Sequence, residues 1–333
     1  MRARRSIPSL LVLVSLAACN AVVGFGDLQK VSDASSDAGK QDATVRSDAG
    51  VVLDDGGEES GPPPSCDPAK PFGTPKPVEG PVNSSGYEMS PTLTADELVI
   101  VFDRSVNLNA GTILMAKRSS RAEPFSAPAE LTELTQGLTG VEAIGGPSMT
   151  GDGLTIFFFG ELSAADDADI FSASRTVVTA PFGQARKVER AGSSSVEVYP
   201  SVKHDGAELW FTSERLGGVT RHLFRSVRDA IGAYGEASVI SELRSSNNEA
   251  GVALSADGLT VYFGSDRPGG LGESDIWMAR RPSLSAPFGA AEPVSELSSP
   301  TEDYPAWLSP DGCRIYLTSD RGGSMDILVA ERP

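Results

Sequence analysis

From about residue 72 to the C-terminus the chain repeats itself five times, and a period of this size marks a repeat architecture to be read before any local motif. An Asp in a turn recurs at Asp96, Asp152, Asp205, Asp257 and Asp311, at intervals of 56, 53, 52 and 54 residues, and in the last four it precedes Gly. Two further landmarks keep step with it. An aromatic followed by Gly or Ser lies at Phe72, Phe125, Phe182, Tyr234 and Phe288, and an aliphatic residue opening a short strand lies at Ile113, Ile170, Leu223, Ile276 and Ile327.

Within each repeat the pattern is β throughout. The fifth runs Ala306–Ser309, the turn Pro310-Asp311-Gly312, Arg314–Thr318, the loop Asp320–Gly323, then Asp326–Ala330. Short alternating runs of aromatic and branched residues, punctuated by Asp-Gly and Gly-Gly, are hairpins. The fourth repeat adds a further strand around Glu292 to Leu297, so each full repeat supplies four antiparallel strands, one propeller blade. The last repeat stops after its third strand at Pro333, whereas Pro71–Val78 matches the fourth-strand segment Pro287–Val294. The N-terminal strand is therefore expected to complete the last blade, which removes open sheet edges and ties the termini together. The expectation is an all-β, five-bladed β-propeller over residues 66–333, with a monomeric head.

Ser255-Ala256-Asp257-Gly258 through Ser265-Asp266-Arg267-Pro268-Gly269-Gly270, with Asp275-Ile276-Trp277, Leu308–Gly312 and Ser319-Asp320-Arg321, resembles the WD-like repeat of the TolB-type β-propeller family over about residues 72 to 333. That resemblance implies the fold, and it says less of function, since relatives include periplasmic scaffolds, envelope-anchoring proteins and propellers that gate peptidases. The second repeat departs, with Gly160-Glu161-Leu162 in place of Ser-Asp-Arg, and the first has only Asp103-Arg104.

The N-terminus supplies an address. Arg2, Arg4 and Arg5 precede an apolar stretch, Ile7 to Ala17, that is too short to span a bilayer, and residues 1–18 read as a signal peptide. Leu16-Ala17-Ala18-Cys19 resembles a bacterial lipobox, which implies cleavage before Cys19, lipidation of its sulfur and a stable acyl anchor. Residues 19–65 carry little that could bury itself, and runs such as Asp54-Asp55-Gly56-Gly57-Glu58-Glu59 are expected to form a disordered acidic linker with a reach of about 40 Å. Asn20 after Cys19 favours the outer membrane, periplasmic or surface-facing. The formal charge of −17 argues against nucleic acid as a partner.

With Cys19 lipidated, Cys66 and Cys313 remain, and in an exported protein they can pair. Cys313 opens the second strand of the last blade, and Cys66 lies just before the strand expected to close it. Free thiols held apart by the intervening third strand are the competing reading.

The constellation most suggestive of chemistry is a set of acids ahead of the innermost strands. Eight residues before each landmark Asp stand Glu88, Ile144, Glu197, Glu249 and Asp303, with Glu302 beside the last. At one mouth of a central channel, Glu88, Glu197, Glu249, Glu302 and Asp303 could hold a cation, engage basic groups of a partner, or serve as acid and base in glycoside hydrolysis. Recurrence in four of five repeats favours a structural role, because catalysis needs distinct residues in distinct environments. His204 and His222 lack metal-ligand spacing, no Gly-x-Ser-x-Gly is present, and no cofactor or metal is expected. Asp266-Arg267 and Asp320-Arg321 read as inter-strand ion pairs. The expectation is a non-enzymatic binding or scaffold module whose partner is an envelope protein or glycan, with a glycan-active hydrolase or carbohydrate-binding propeller as the alternative.

Overall fold

The computed structural model describes residues 66–106, 111–161, 168–217 and 219–333. The expected signal peptide, lipidated Cys19 and acidic linker lie outside the described residues. The strands are β1 (Lys76–Pro77), β2 (Tyr87–Leu93), β3 (Val99–Ser105), β4 (Gly111–Lys117), β5 (Ala129–Glu130), β6 (Ala143–Met149), β7 (Thr155–Glu161), β8 (Asp169–Ser174), β9 (Arg186–Lys187) and β10 (Glu197–Val202). They continue as β11 (Glu208–Ser213), β12 (His222–Val227), β13 (Ser238–Val239), β14 (Glu249–Leu254), β15 (Thr260–Ser265), β16 (Asp275–Arg280), β17 (Glu292–Pro293), β18 (Asp303–Leu308), β19 (Arg314–Ser319) and β20 (Asp326–Glu331).

Each repeat builds an antiparallel four-stranded sheet with one very short outer strand. Three sheets are separate, β10–β13, β14–β17 and β18–β20 with β1, while β2–β5 and β6–β9 are joined where Gly111 of β4 pairs with Ile144 of β6. The outer strands are shorter than the sequence suggests: β17 ends at Pro293, because Val294 to Leu297 turn back with Leu297 N–H donating to Val294 O at 3.0 Å. That turn buries Val294 and Leu297 against the core, which explains why the apolar pattern outlasts the strand.

Consecutive sheets are stitched by one recurring bond. The amide of the acid opening each inner strand donates to the chain just before, or at the start of, the previous repeat's third strand: Glu197 to Ala168 O, Glu249 to Arg221 O and Asp303 to Ser274 O, each 2.8 Å. Glu88 donates to Met325 O at 2.8 Å, so the first repeat takes its bond from the last. The buried apolar clusters follow the same order, and one of them joins Trp307, Tyr316 and Ile327 to Leu93, Ile100 and Phe102.

The N-terminal segment does add to the last sheet. Lys76 pairs with Val329 and Pro77 with Leu328, and Asp67 N–H donates to Pro333 O at 3.0 Å. Cys66 and Cys313 form a disulfide with a Cα–Cα distance of 5.7 Å. The intervening third strand does not keep them apart, because Cys66 passes beyond the end of that strand, beside the turn that Cys313 leaves.

The Asp-Gly turns share one construction. The Asp carboxylate accepts the amide two residues on, at Leu98, Leu154, Ala207, Leu259 and Cys313, and in four turns also a Ser or Thr hydroxyl. The following residue is left-handed, with φ near +70° at Gly153, Gly206, Gly258 and Gly312. In the first repeat Glu97 holds this position at φ 61°. A side chain there costs about 1–2 kcal/mol, and Glu97 offsets it by reaching across the seam between last and first repeats. Its fully buried carboxylate lies 2.5 Å from Arg314 Nη2 and 3.5 Å from Arg118 Nη2, and accepts the Tyr316 hydroxyl at 3.1 Å.

In four repeats an arginine just after the third strand clips the turn to the aromatic landmark. Arg118, Arg175, Arg281 and Arg332 stack on Phe125, Phe182, Phe288 and Phe72 at 4.4, 4.2, 4.6 and 3.9 Å. Their guanidiniums donate to the turn carbonyls of Glu97, Gly153, Gly258 and Gly312. Such cation–π contacts contribute about 0.5–2 kcal/mol each.

Candidate functional site

Four of the candidate acids are consumed inside the sheets. Glu88, Glu197, Glu249 and Asp303 are fully buried. Each accepts a hydroxyl from the serine four residues earlier, Ser84, Ser193, Ser245 and Ser299, at 2.5–2.6 Å. Each also meets an arginine from the neighbouring strand: Arg104 at 2.6 Å, Arg215 at 2.9 Å, Arg267 at 3.0 Å and Arg321. Arg267 and Arg321 therefore do form inter-strand ion pairs, though not with the Asp that precedes each of them.

This burial corrects the picture of solvated acids crowding a channel mouth. A buried carboxylate is tolerable only when paired and hydrogen-bonded, and here the Ser-x-x-x-acid spacing and the second-strand arginine supply both. The second repeat shows the coupling from the other side: Gly140, Ile144 and Leu162 stand at the aligned serine, acid and arginine positions, so the whole clamp is absent together. Ile144 is buried as an ordinary core residue.

Glu302 stands apart from these four. It lines a central cavity of about 320 Å³ with Tyr199, Tyr304, Arg221, Met89 and Met325. Burial raises its carboxyl above the usual range, and Asp320 and Glu273 add repulsion. Burial, with Glu302 next, pushes the Tyr304 hydroxyl up to about 12. Arg221 is held from one side, its Nε 2.9 Å from Glu214.

Tyr199 enters the cavity from a strained backbone, at φ 51°. The inner strands bulge one residue after the position next to the acid, and the bulged residue is left-handed in four repeats: Ser90, Gly146, Tyr199 and Gly251. A bulky residue in that conformation costs of order 1–3 kcal/mol and persists only where its surroundings fix it. The Tyr199 ring packs edge-on against Phe159 at 5.8 Å. Tyr304 lies over Gly264, where a Cβ would come within 2.6 Å of its ring.

Behind Ser90, which lines the cavity, sits Asp103, a buried carboxyl that accepts the Gly146 amide at 3.1 Å. Desolvation pushes its pKa up to about 7, against the opposing pull of that amide and of Ser90. Among the described residues no arginine pairs with it; Thr212, Gly264 and Thr318 occupy its place in the last three repeats.

The repeats are also bridged beyond the inner strands. At the turn end, Ala95 N–H donates to Gly151 O at 2.8 Å, Gly151 N–H to His204 O at 2.9 Å, and His204 Nε2 lies 2.9 Å from Leu308 O. Three repeats and the last are thus tied across the axis, with the imidazole edge-on to Trp307 at 5.4 Å. Burial lowers the His204 pKa, so the neutral ring donates its Nε2 proton to Leu308. His222 is spent on Glu249, Nδ1 to Oε2 2.7 Å. Among the described residues no three His, Cys, Asp or Glu side chains are grouped to hold a metal ion.

Asp103, Tyr199, Arg221 and Tyr304 were not singled out from the sequence as site residues. The signal was present for the tyrosines, which fall one or two places after an aligned acid where other repeats have Met, Gly, Val, Ala, Ser or Pro. Asp103 had no such signal, because its partner amide belongs to the next repeat.

No protein-family model matches the sequence, and no curated protein matches it. Among solved structures the chain is similar to a thermostable family-43 glycoside hydrolase, with a TM-score of 0.54 and 10% identity over 76% of this chain and 91% of that one. It is also similar to TolB from Acinetobacter baumannii, at TM-score 0.46 and 16% identity over 75% of this chain, and spans 55% of that protein's length. An α-L-arabinofuranosidase from Podospora anserina follows at TM-score 0.47 and 10% identity, covering 80% and 98%. The fold is a β-propeller, and at these identities the likeness extends to the fold alone.

Proposed function

We propose that the chain is a lipid-anchored envelope protein whose head, a five-bladed β-propeller, is a non-enzymatic binding module. The five-blade count is supported by the cyclic order of the inter-sheet bonds, which runs from Gly111–Ile144 round to Glu88–Met325. The observation that carries the binding reading is the burial of Glu88, Glu197, Glu249 and Asp303 in identical clamps. Those acids are structural, and what faces the ligand is a cavity lined by two tyrosines, an arginine and a glutamate. Such a mixture of apolar walls and a few convergent polar groups is the usual form of a binding site.

A glycan-active reading is favoured by one observation. Asp103 and Glu302 are two carboxyls in or behind the same cavity, both raised by burial, as a general acid requires. A screen of oligosaccharides scored for both binding and hydrolysis separates the two. Turnover that disappears in Glu302→Gln and Asp103→Asn would overturn the binding reading; saturable binding without turnover, weakened by Tyr199→Ala, supports it. The anchor is tested separately by metabolic labelling with a palmitate analogue, where Cys19→Ala should abolish incorporation.

A further inference from the structure

The second and third repeats meet along an outer groove of about 460 Å³ that differs from the junctions between other repeats. On the second repeat's face, Phe157 pairs with Ser172, which pairs with Arg186, and Thr155 pairs with Ser174. Where Ser172 stands, the other repeats carry Met115, Arg225, Met278 or Val329. Small hydroxyl residues therefore leave open a space that larger side chains occupy elsewhere. The hydroxyls of Thr155 and Ser174 are exposed and hydrogen-bonded to each other at 3.1 Å.

Across the groove the turn clip is rewired. The third repeat has Tyr234 where the others have Phe, and its hydroxyl donates to Gly206 O at 2.7 Å, taking the turn carbonyl that the arginine bonds in the other repeats. Its ring packs edge-on against Phe157 at 5.5 Å. Arg228, displaced from both partners, bonds Gly232 O through Nε at 3.0 Å and is exposed, whereas its four counterparts are buried or half-buried. Among the described residues its two terminal nitrogens make no hydrogen bond.

The charges around the groove do not cancel in the usual way for a chain of formal charge −17. Lys187 is matched by Asp169 at 2.5 Å and Arg190 by Glu236 at 3.1 Å. Arg186 and Arg228 have no carboxylate partner among the described residues, and Glu189 is the one acid of the lining. We propose that this groove binds a phosphate- or sulfate-type oxyanion, held by Arg228 and Arg186 with hydroxyls of Thr155, Ser172 and Ser174. Guanidinium forks donate charge-assisted bonds to such an oxyanion, and serine and threonine hydroxyls can donate to its remaining oxygens. A phosphate ester on a sugar and the free ion share this chemistry.

The test uses the full chain, with inorganic phosphate and sulfate titrated against chloride at matched ionic strength and read by thermal midpoint and by calorimetry. The wild type should be stabilised by the oxyanions in a saturable way. Arg228→Gln and Arg186→Gln should each weaken binding about tenfold, the loss of one charge-assisted contact. Tyr234→Phe, which lets Arg228 return to its stack, should weaken it while leaving the fold intact, and Glu189→Gln should tighten it. Lys117→Gln, an exposed charge outside the groove, should change nothing. Unaltered oxyanion stabilisation in Arg228→Gln, or an equal effect of chloride, would overturn the proposal. A hexose phosphate that binds more tightly than inorganic phosphate would identify the ester as the source; equal affinity would identify the free ion.

Discussion

Replacing Glu97 by alanine and by glycine separates two opposing energies at the seam between the last and first repeats. The carboxylate is fully buried beneath Arg314, whose side chain is 14% exposed, and Arg118, which is 10% exposed. Removing one partner of a buried pair costs about 3–5 kcal/mol, since the remaining charges keep their desolvation penalty. Alanine loses the pair and keeps the left-handed backbone at φ 61°. Glycine loses the same pair but relieves about 1 kcal/mol of backbone strain. The expected losses are therefore about 4 kcal/mol for Glu97→Ala and about 3 kcal/mol for Glu97→Gly. In a domain of this size the first corresponds to a fall in thermal midpoint of about 10 °C. Urea unfolding followed by tryptophan fluorescence, with an unchanged slope, measures the difference. A glycine variant as stable as the wild type would refute the offset, and an alanine variant at least as stable as the glycine variant would refute the strain.

Breaking the Cys66–Cys313 bridge, which spans 247 residues, should cost about 5 kcal/mol in the chain-entropy account; intact-mass analysis before and after reduction should show a gain of two hydrogens in protein stripped of other modifications. Asp103, raised to about 7 by burial, binds its proton more tightly folded than unfolded, so its contribution to stability is full below pH 4 and is lost as pH rises towards 7. Asp103→Asn should flatten that limb, and a chemical-denaturation series from pH 4 to 8 reads it. His204 acts with the opposite sign: its pKa is lowered by burial, so stability is full above the unfolded histidine pKa and falls as pH drops below about 6.5, a limb that His204→Gln should remove. Ile144→Glu should destabilise by about 3 kcal/mol or more, because Gly140 and Leu162 offer the new buried carboxylate neither hydroxyl nor guanidinium; a thermal midpoint within a degree of wild type would contradict the clamp.

The sheets and their closure were legible because each is written in repeated local chemistry. Asp-Gly turns, alternating apolar runs and the match of Pro71–Val78 to Pro287–Val294 anticipate β1 on β20. The clamp was half legible. The acids stood out by spacing, but their serine lies four residues back and their arginine on the next strand, so a solvated mouth and a buried pair look alike until the strands are placed. The four turn-clip arginines recur as regularly as the acids, and went unread because no local motif announces a stacking partner.

Glu302 illustrates the division at a single step in sequence: Asp303 next to it is sealed in a clamp, and Glu302 faces the cavity. Alternation of side chains along a strand makes neighbours point apart, but which direction is interior depends on the ring. By itself the sequence determined the repeat, the strand order and the pairing that closes the last sheet, because those follow from local turn chemistry and period. Only the tertiary structure decided which acids are buried, that His204 bonds Leu308 in another repeat, that Asp103 has no arginine partner among the described residues, and that Arg228 is released by one hydroxyl on Tyr234. Each of these depends on contacts between strands or between repeats that exist only once the chain is folded, and the period alone carries no record of them.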